Sequence, residues 1–176
     1  PPVGLEWSAS FPLPPQEDGR AANCTGVPVA GEHEGVVLLA RGSDDPAPPL
    51  GMGGDKEACA DIYALPLGRT TWVRAGTLSQ PLTDGMSAAT PRGIVCVAGR
   101  ADGENQSRAL LLTWDATRAL AVETALPDLP CSVRRGAAAA WDNRVYVAGG
   151  ESADNLAGDV WTLDLDVPQS GWTSLP

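Results

Sequence analysis

Positive charge is scarce in this chain. Twelve Lys and Arg face twenty-two Asp and Glu over 176 residues, a formal net charge of −10. Nucleic-acid binding rests on Lys and Arg neutralising phosphates, so this balance argues against it, and equally against an anionic membrane surface. The acidic excess reads as solubility. Histidine occurs once, and the four cysteines at 24, 59, 96 and 131 form no Cys-x-x-Cys pair. No metal site and no cofactor are therefore expected. A disulfide framework among the four is left open. No apolar run approaches the roughly 18 residues needed to span a bilayer. The chain opens Pro1-Pro2 with no initiator Met and no visible secretory leader. A trimmed N-terminus would hide a leader, so the compartment is left open.

What is present is a repeat. Residues 135–176 run RGAAAAWDNRVYVAGG, a polar turn, then DVWTLDLDVPQSGWTSLP. The small residues Gly136–Ala140 suit a crowded inner strand, and Val145-Tyr146-Val147 a second. Gly149-Gly150 turns the chain where only glycine is cheap. Val160–Leu165 reads as a third strand, and Trp172 marks a short outer one. Four short strands per unit is the blade plan of a propeller. The punctuation recurs upstream. Gly93–Gly99 matches Asn143–Gly149 at an offset of 50, Leu110–Asp115 matches Val160–Leu165, and Pro127–Pro130 matches the exit at Ser174–Pro176. One unit earlier, Gly35–Ala40 and Asp61–Leu65 are the strands, with Trp72 and Leu78 closing the unit. Between them lies a Gly, Pro and Asp-rich insertion from Arg41 to Lys56.

A period of about 50 residues is that of kelch repeats. The expected fold is all-β, a kelch-type β-propeller with about three four-stranded blades, a partial ring. The chain reads as one propeller region, 1–176: an orphan outer strand in 1–15 around Leu5-Glu6-Trp7, then blades at 16–81, 82–130 and 131–176. The alternative is a generic antiparallel sandwich. Three blades alone leave open flanks with exposed edges and faces. The chain is expected to be a fragment of a longer one or, if complete as given, to pair as a homodimer.

The order of the motifs goes further. Leu5-Glu6-Trp7, Pro12-Leu13-Pro14-Pro15 and Thr25-Gly26-Val27 come first. Gly35–Ala40, Gly53-Gly54-Asp55-Lys56 and Asp61-Ile62-Tyr63 follow. Then come Trp72, Ala75-Gly76-Thr77-Leu78, Gly85-Met86-Ser87, Gly93–Val97 and Leu126–Pro130. Taken together, this resembles the bacterial sialic-acid mutarotase-like kelch proteins, including their cyclically permuted branch. The resemblance implies a six-bladed propeller that accelerates α/β anomer exchange of N-acetylneuraminate or a related sugar, an isomerase without a cofactor. Such chemistry needs a base for the anomeric hydroxyl, an acid for the ring oxygen and a cation for the sugar carboxylate. The pocket words depart from the family pattern: Ala40–Pro46 stands for its Gly-Gly-Ala-Asn-Phe-Pro, and Gly99-Arg100 for a second Gly-Gly. The rival function is a non-catalytic kelch module that binds a protein or a carbohydrate. A copper oxidase on the same scaffold would need His and Tyr ligands that one His and two Tyr do not readily supply.

Lys56 matches the second Lys of the family's loop word and is a candidate catalytic cation; a solvated loop lysine is the alternative. Asp84 and Glu151 are the acid–base candidates. Arg41, Arg100 and Arg135 are the candidates for gripping a sugar carboxylate. Arg135 would otherwise cap its own blade, and Arg41 and Arg100 would otherwise be ordinary turn charges. His33, in Gly31-Glu32-His33-Glu34-Gly35, reads as an exposed turn residue. Trp72, Trp114, Trp161 and Trp172 read as packing residues. Asn23-Cys24-Thr25 and Asn105-Gln106-Ser107 are glycosylation sequons.

Overall fold

A computed structural model of the chain describes residues 11–15, 28–40, 42–44, 57–152 and 158–176. The orphan strand expected at Leu5-Glu6-Trp7 lies outside them. The described chain is all-β: three antiparallel four-stranded sheets and one two-stranded ladder, with a single 3₁₀ turn at Pro168–Ser170. Sheet 1 is ordered β1 (Val29–His33), β2 (Val36–Ala40), β5 (Asp61–Pro66), β6 (Val73–Thr77). The short strands β3 (Ser43–Asp44) and β4 (Glu57–Ala58) pair with each other inside the β2–β5 connection. Sheet 2 runs β7 (Met86–Thr90), β8 (Gly93–Ala101), β9 (Glu104–Asp115), β10 (Leu120–Leu126). Sheet 3 runs β11 (Ala137–Trp141), β12 (Arg144–Ala148), β13 (Val160–Asp164), β14 (Thr173–Leu175). Trp172 immediately precedes that last strand.

Each sheet is an up-and-down meander, and β7 lies against both β1 and β11. Three successive four-stranded meanders with their first strands side by side are a propeller-like arrangement. The small side chains of β7 and β11 answer to this crowding. A Cβ on Gly136, just before β11, would stand 2.6 Å from Met86 Sδ.

The register of the hairpins corrects the repeat offset. Thr90 pairs with Gly93 and Trp141 with Arg144, while Ile94 pairs with Leu112 and Val145 with Leu163. Sheets 2 and 3 therefore superpose at 51 residues, not 50. The isolated bridges obey the same spacing: Thr83 pairs with Arg100, and Arg134 with Glu151. One residue matters because side chains in a strand alternate between faces, so a single slip exchanges core for solvent.

The correct register explains two stacked cores. Val36, Leu38 and Ala40 of sheet 1 meet Ile94, Cys96, Leu110 and Leu112 of sheet 2. The other face of sheet 2, with Met86, Ala88, Val95, Val97 and Ala109, meets Val145, Val147 and Leu163 of sheet 3. The middle sheet is covered on both sides, which is why β8 is buried at both parities from Gly93 to Gly99. Polar ties cross each junction. His33 ends β1 and is only 9% exposed. Its Nδ1 accepts the Trp114 N–H at 3.0 Å. The expectation of an exposed turn histidine is thus wrong: the turn is Glu34-Gly35, and the side chain before it points into the sheet 1–sheet 2 junction. Arg108 and Glu123 pair across the outer half of sheet 2, and Glu123 also takes the Ser79 N–H at 2.9 Å. Trp172 Nε1 donates to the Pro127 carbonyl at 2.8 Å, tying sheet 3 to the exit of sheet 2.

Candidate functional site

The junction of sheets 2 and 3 has two ends. At one end lie the tight β7–β8 and β11–β12 turns. At the other lie the entries to β7 and β11 and the exits of β8 and β12. Three of the six expected site residues meet there. Asp84 precedes β7, Arg135 precedes β11, and Glu151 follows β12.

The backbone builds this corner before any side chain does. Arg135 N–H donates to the Asp84 carbonyl at 2.9 Å, and Arg134 and Glu151 exchange two backbone bonds of 3.1 and 2.8 Å. Asp84 and Arg135 are the same repeat position, and both hold positive φ, 54° and 56°. A left-handed residue before each inner strand reverses the chain out of the preceding connection at a cost of about 1–3 kcal/mol. Behind it, Gly99 N–H donates to the Val133 carbonyl at 2.8 Å.

Four charged side chains converge on this frame. Arg134 lies 3.0 Å from Glu151 and 3.8 Å from Asp84. Arg135 lies 3.3 Å from Asp84 and 3.7 Å from Glu151. Each guanidinium thus meets both carboxylates, and the cluster is formally neutral within a chain of net charge −10. Asp84 and Arg134 are the inner pair, at 18% and 25% side-chain exposure; Glu151 and Arg135 are the outer pair, at 41% and 50%. A ligand arriving from solvent meets Arg135 and Glu151 first.

Arg134 was not among the expected residues. Its signal is the 51-residue register, which places the Arg134-Arg135 pair on Thr83-Asp84 and Glu151 on Arg100. Successive repeats thus carry opposite charges at equivalent corners. Arg100 itself is not drawn into the cluster. It pairs with Thr83 through the backbone, and its Nε donates to the Gly103 carbonyl at 2.9 Å, capping its own hairpin. Arg41 and Lys56 lie outside the described residues. Asn105 adds a neutral contact, its Nδ2 donating to the Glu151 carbonyl at 3.1 Å. That nitrogen is the one a glycan would occupy, so the second sequon is committed to the corner. The first, at Asn23, lies outside the described residues.

Elsewhere, Asp61 opens β5, and its carboxylate accepts from Arg74 Nε at 3.1 Å. Cys96 is fully buried in β8. Burial, with a smaller contribution from Glu123, pushes its thiol up to about 12. Among the described residues, no group of three or more His, Cys, Asp or Glu stands close enough to hold a metal ion, and no helix is long and apolar enough to cross a membrane.

No protein-family model matches this sequence, and no curated protein matches it.

Proposed function

We propose that this chain is a kelch-type propeller segment that binds a sugar acid of the N-acetylneuraminate kind at the Asp84–Arg134–Arg135–Glu151 corner and accelerates exchange between its anomers. The observation that carries this reading is the convergence of two guanidinium groups and two carboxylates at one end of a propeller-like stack. That set supplies each chemical role the exchange needs. Arg135, the more exposed fork, receives the sugar carboxylate in two parallel hydrogen bonds. Glu151 takes the proton from the C2 hydroxyl of the hemiketal. As the C2–ring-oxygen bond breaks, the now protonated Glu151 carboxyl passes that same proton to the ring oxygen, and the open-chain ketone forms. Rotation about the bond to C2 presents the other carbonyl face. Reclosure reverses the transfer through Glu151, from the opened hydroxyl to the new C2 oxygen, so no net atom or electron is gained or lost.

A second reading is favoured by a specific observation. Both carboxylates are already held by arginines, which suits a clasp between sheets as well as it suits an acid–base pair. On that reading the corner binds a carboxylate-bearing partner without turnover, as a non-catalytic carbohydrate- or protein-binding module.

Proton NMR separates the two. Freshly dissolved α-enriched N-acetylneuraminate equilibrates faster with the protein than without it if the exchange is catalysed, and Glu151→Gln abolishes the acceleration. Saturable binding with no change in rate selects the non-catalytic module. Neither binding nor acceleration by a folded sample rejects the sugar-acid reading.

A further inference from the structure

A cleft of about 300 Å³ lies at the tight-turn end of sheet 3, away from the charged corner. Strand register sets one row of side chains across it. Trp141 of β11 stands opposite Arg144 of β12, and Arg144 opposite Asp164 of β13. Tyr146 shares their face of the sheet, and the turn residues Asp142, Asn143 and Asp166 complete the rim.

The repeat itself does not call for these residues. Fifty-one residues earlier the row is Thr90, Gly93 and Thr113, with Val95 in the place of Tyr146 and Pro91 in that of Asp142. Sheet 2 tucks that small row under sheet 3: Thr90 is 7% exposed and Val95 is fully buried. Sheet 3 instead carries a bulky indole, 75% exposed, beside the partly solvated Arg144–Asp164 pair. Covering that pair with another sheet would strip both charges of water, a cost their attraction repays poorly. The row suits a wet surface.

Its polar groups are fixed before any ligand arrives. Arg144 Nη2 donates to Asp164 Oδ2 at 2.9 Å, and Asp164 Oδ1 takes the Asp166 backbone N–H at 2.9 Å. The Arg144 bond, helped by that N–H, holds the Asp164 carboxyl below the usual carboxylate range, so it stays ionised and accepts only. Asp166 takes Asn143 Nδ2 at 3.1 Å and pairs with Arg92 across the junction. Two guanidinium groups thus already serve the three carboxylates, and the surplus negative charge disfavours an anion. A carboxylate has about four lone-pair sites, so these still accept from hydroxyl groups, and such charge-assisted bonds are strong. The occupant that fits is uncharged, rich in vicinal hydroxyls, and apolar on one flat side. In β-pyranosides of gluco or galacto configuration one ring face carries mainly C–H groups, which pack on an open indole. The cleft volume is at the lower end of the roughly 300–1,000 Å³ of small-molecule sites, which suits a single sugar unit.

We propose that this cleft binds a neutral hexopyranoside of the gluco or galacto kind, its C–H face on Trp141 and its vicinal hydroxyls donating to Asp164 and Asp166. The inference is independent of the sugar-acid reading, which concerns the other end of the strands.

Titration of the nitrogen-15-labelled full chain with methyl β-D-glucopyranoside and, separately, methyl β-D-galactopyranoside tests it. At least one of them should move the Trp141 indole N–H peak saturably, with a dissociation constant in the millimolar range, while N-acetylneuraminate leaves that peak in place. Trp141→Ala should abolish the response with the rest of the spectrum unchanged, since the side chain is exposed, and Trp141→Phe should retain a weakened one. Asp164→Asn should weaken binding about tenfold. No saturable shift with either glycoside overturns the inference. So does a response that survives Trp141→Ala, or an equal shift of the Trp141 peak with N-acetylneuraminate.

Discussion

Gly99 is where the repeat, the strand pairing and the candidate site depend on one missing side chain. It sits at φ 106°, after the irregularity that interrupts the β8–β9 ladder. A Cβ there would stand 2.6 Å from the Thr83 carbonyl oxygen and 2.8 and 2.9 Å from Gly85 Cα and N. All three are backbone atoms, so no side chain can swing aside. The Thr83–Arg100 bridge, which sets the approach to Asp84, would have to part. The backbone strain of a side chain at this φ costs about 1–3 kcal/mol. Forcing the two strands apart adds about 1–3 kcal/mol of overpacking. Gly99→Ala is therefore expected to lose about 4 kcal/mol, a large share of the roughly 5–15 kcal/mol that holds a domain together. Gly103 provides the control. It too has positive φ, 85°, but an added Cβ meets nothing within 4 Å, so Gly103→Ala is expected to lose only about 1 kcal/mol. Urea unfolding followed by circular dichroism measures both, with the midpoint read at constant slope. Equal losses would refute the close approach at this corner, and with it the geometry that brings Asp84 to Arg135.

Three further expectations concern the junctions. His33→Ala removes a buried acceptor from the Trp114 N–H and should cost about 1–3 kcal/mol by the same assay, with Asn recovering part of the loss. A double-mutant cycle of Arg134→Met and Glu151→Gln should give a coupling of about 1 kcal/mol or less that shrinks in high salt, because both side chains are partly solvated; a salt-independent coupling would contradict that placement. Cys96 keeps its proton to about 12 in the folded chain, whereas an exposed thiol loses it from about 8.5 upward. The folded state then binds the extra proton, so this group's contribution falls as pH rises through that window, by at most about 1.4 kcal/mol per pH unit. The part of the alkaline loss that disappears in Cys96→Ala measures it, and a wild-type alkaline slope retained in full by that variant would contradict the burial.

The hairpins were legible because their signals are local. Gly93–Val97 and Val145–Val147 alternate or run apolar between turn residues, and the structure makes strands of both. The repeat offset was misread by one because the motif Val-Ala-Gly occurs at both Val97–Gly99 and Val147–Gly149. The pairing instead aligns Ala98-Gly99 with Gly149-Gly150: Ala98 adopts φ 56° where the later repeat uses glycine at φ 66°. An alanine in that conformation carries no local signature. The same slip hid Arg134, since its partner Glu151 is fixed by strand pairing 17 residues away. His33 was misread because a Glu-His-Glu-Gly run looks like a turn, and only the Trp114 amide on another sheet explains its burial. That Asp84, Arg135 and Glu151 come together was not legible: they stood as separate candidates, and their proximity follows from the 51-residue register, which sets Asp84 and Arg135 at equivalent positions of neighbouring sheets and pairs Arg134 with Glu151.

The measurement that bears most directly on the proposed function is a titration of the isotopically labelled chain with N-acetylneuraminate, followed by amide proton–nitrogen correlation spectra. Shifts that saturate and are confined to residues 83–85, 99–105, 134–136 and 150–152 are predicted, and Arg135→Ala should abolish them. An unmoved spectrum, or shifts gathered instead around Trp141–Tyr146 at the far end of the strands, would contradict the assignment of the Asp84–Arg134–Arg135–Glu151 corner as the site.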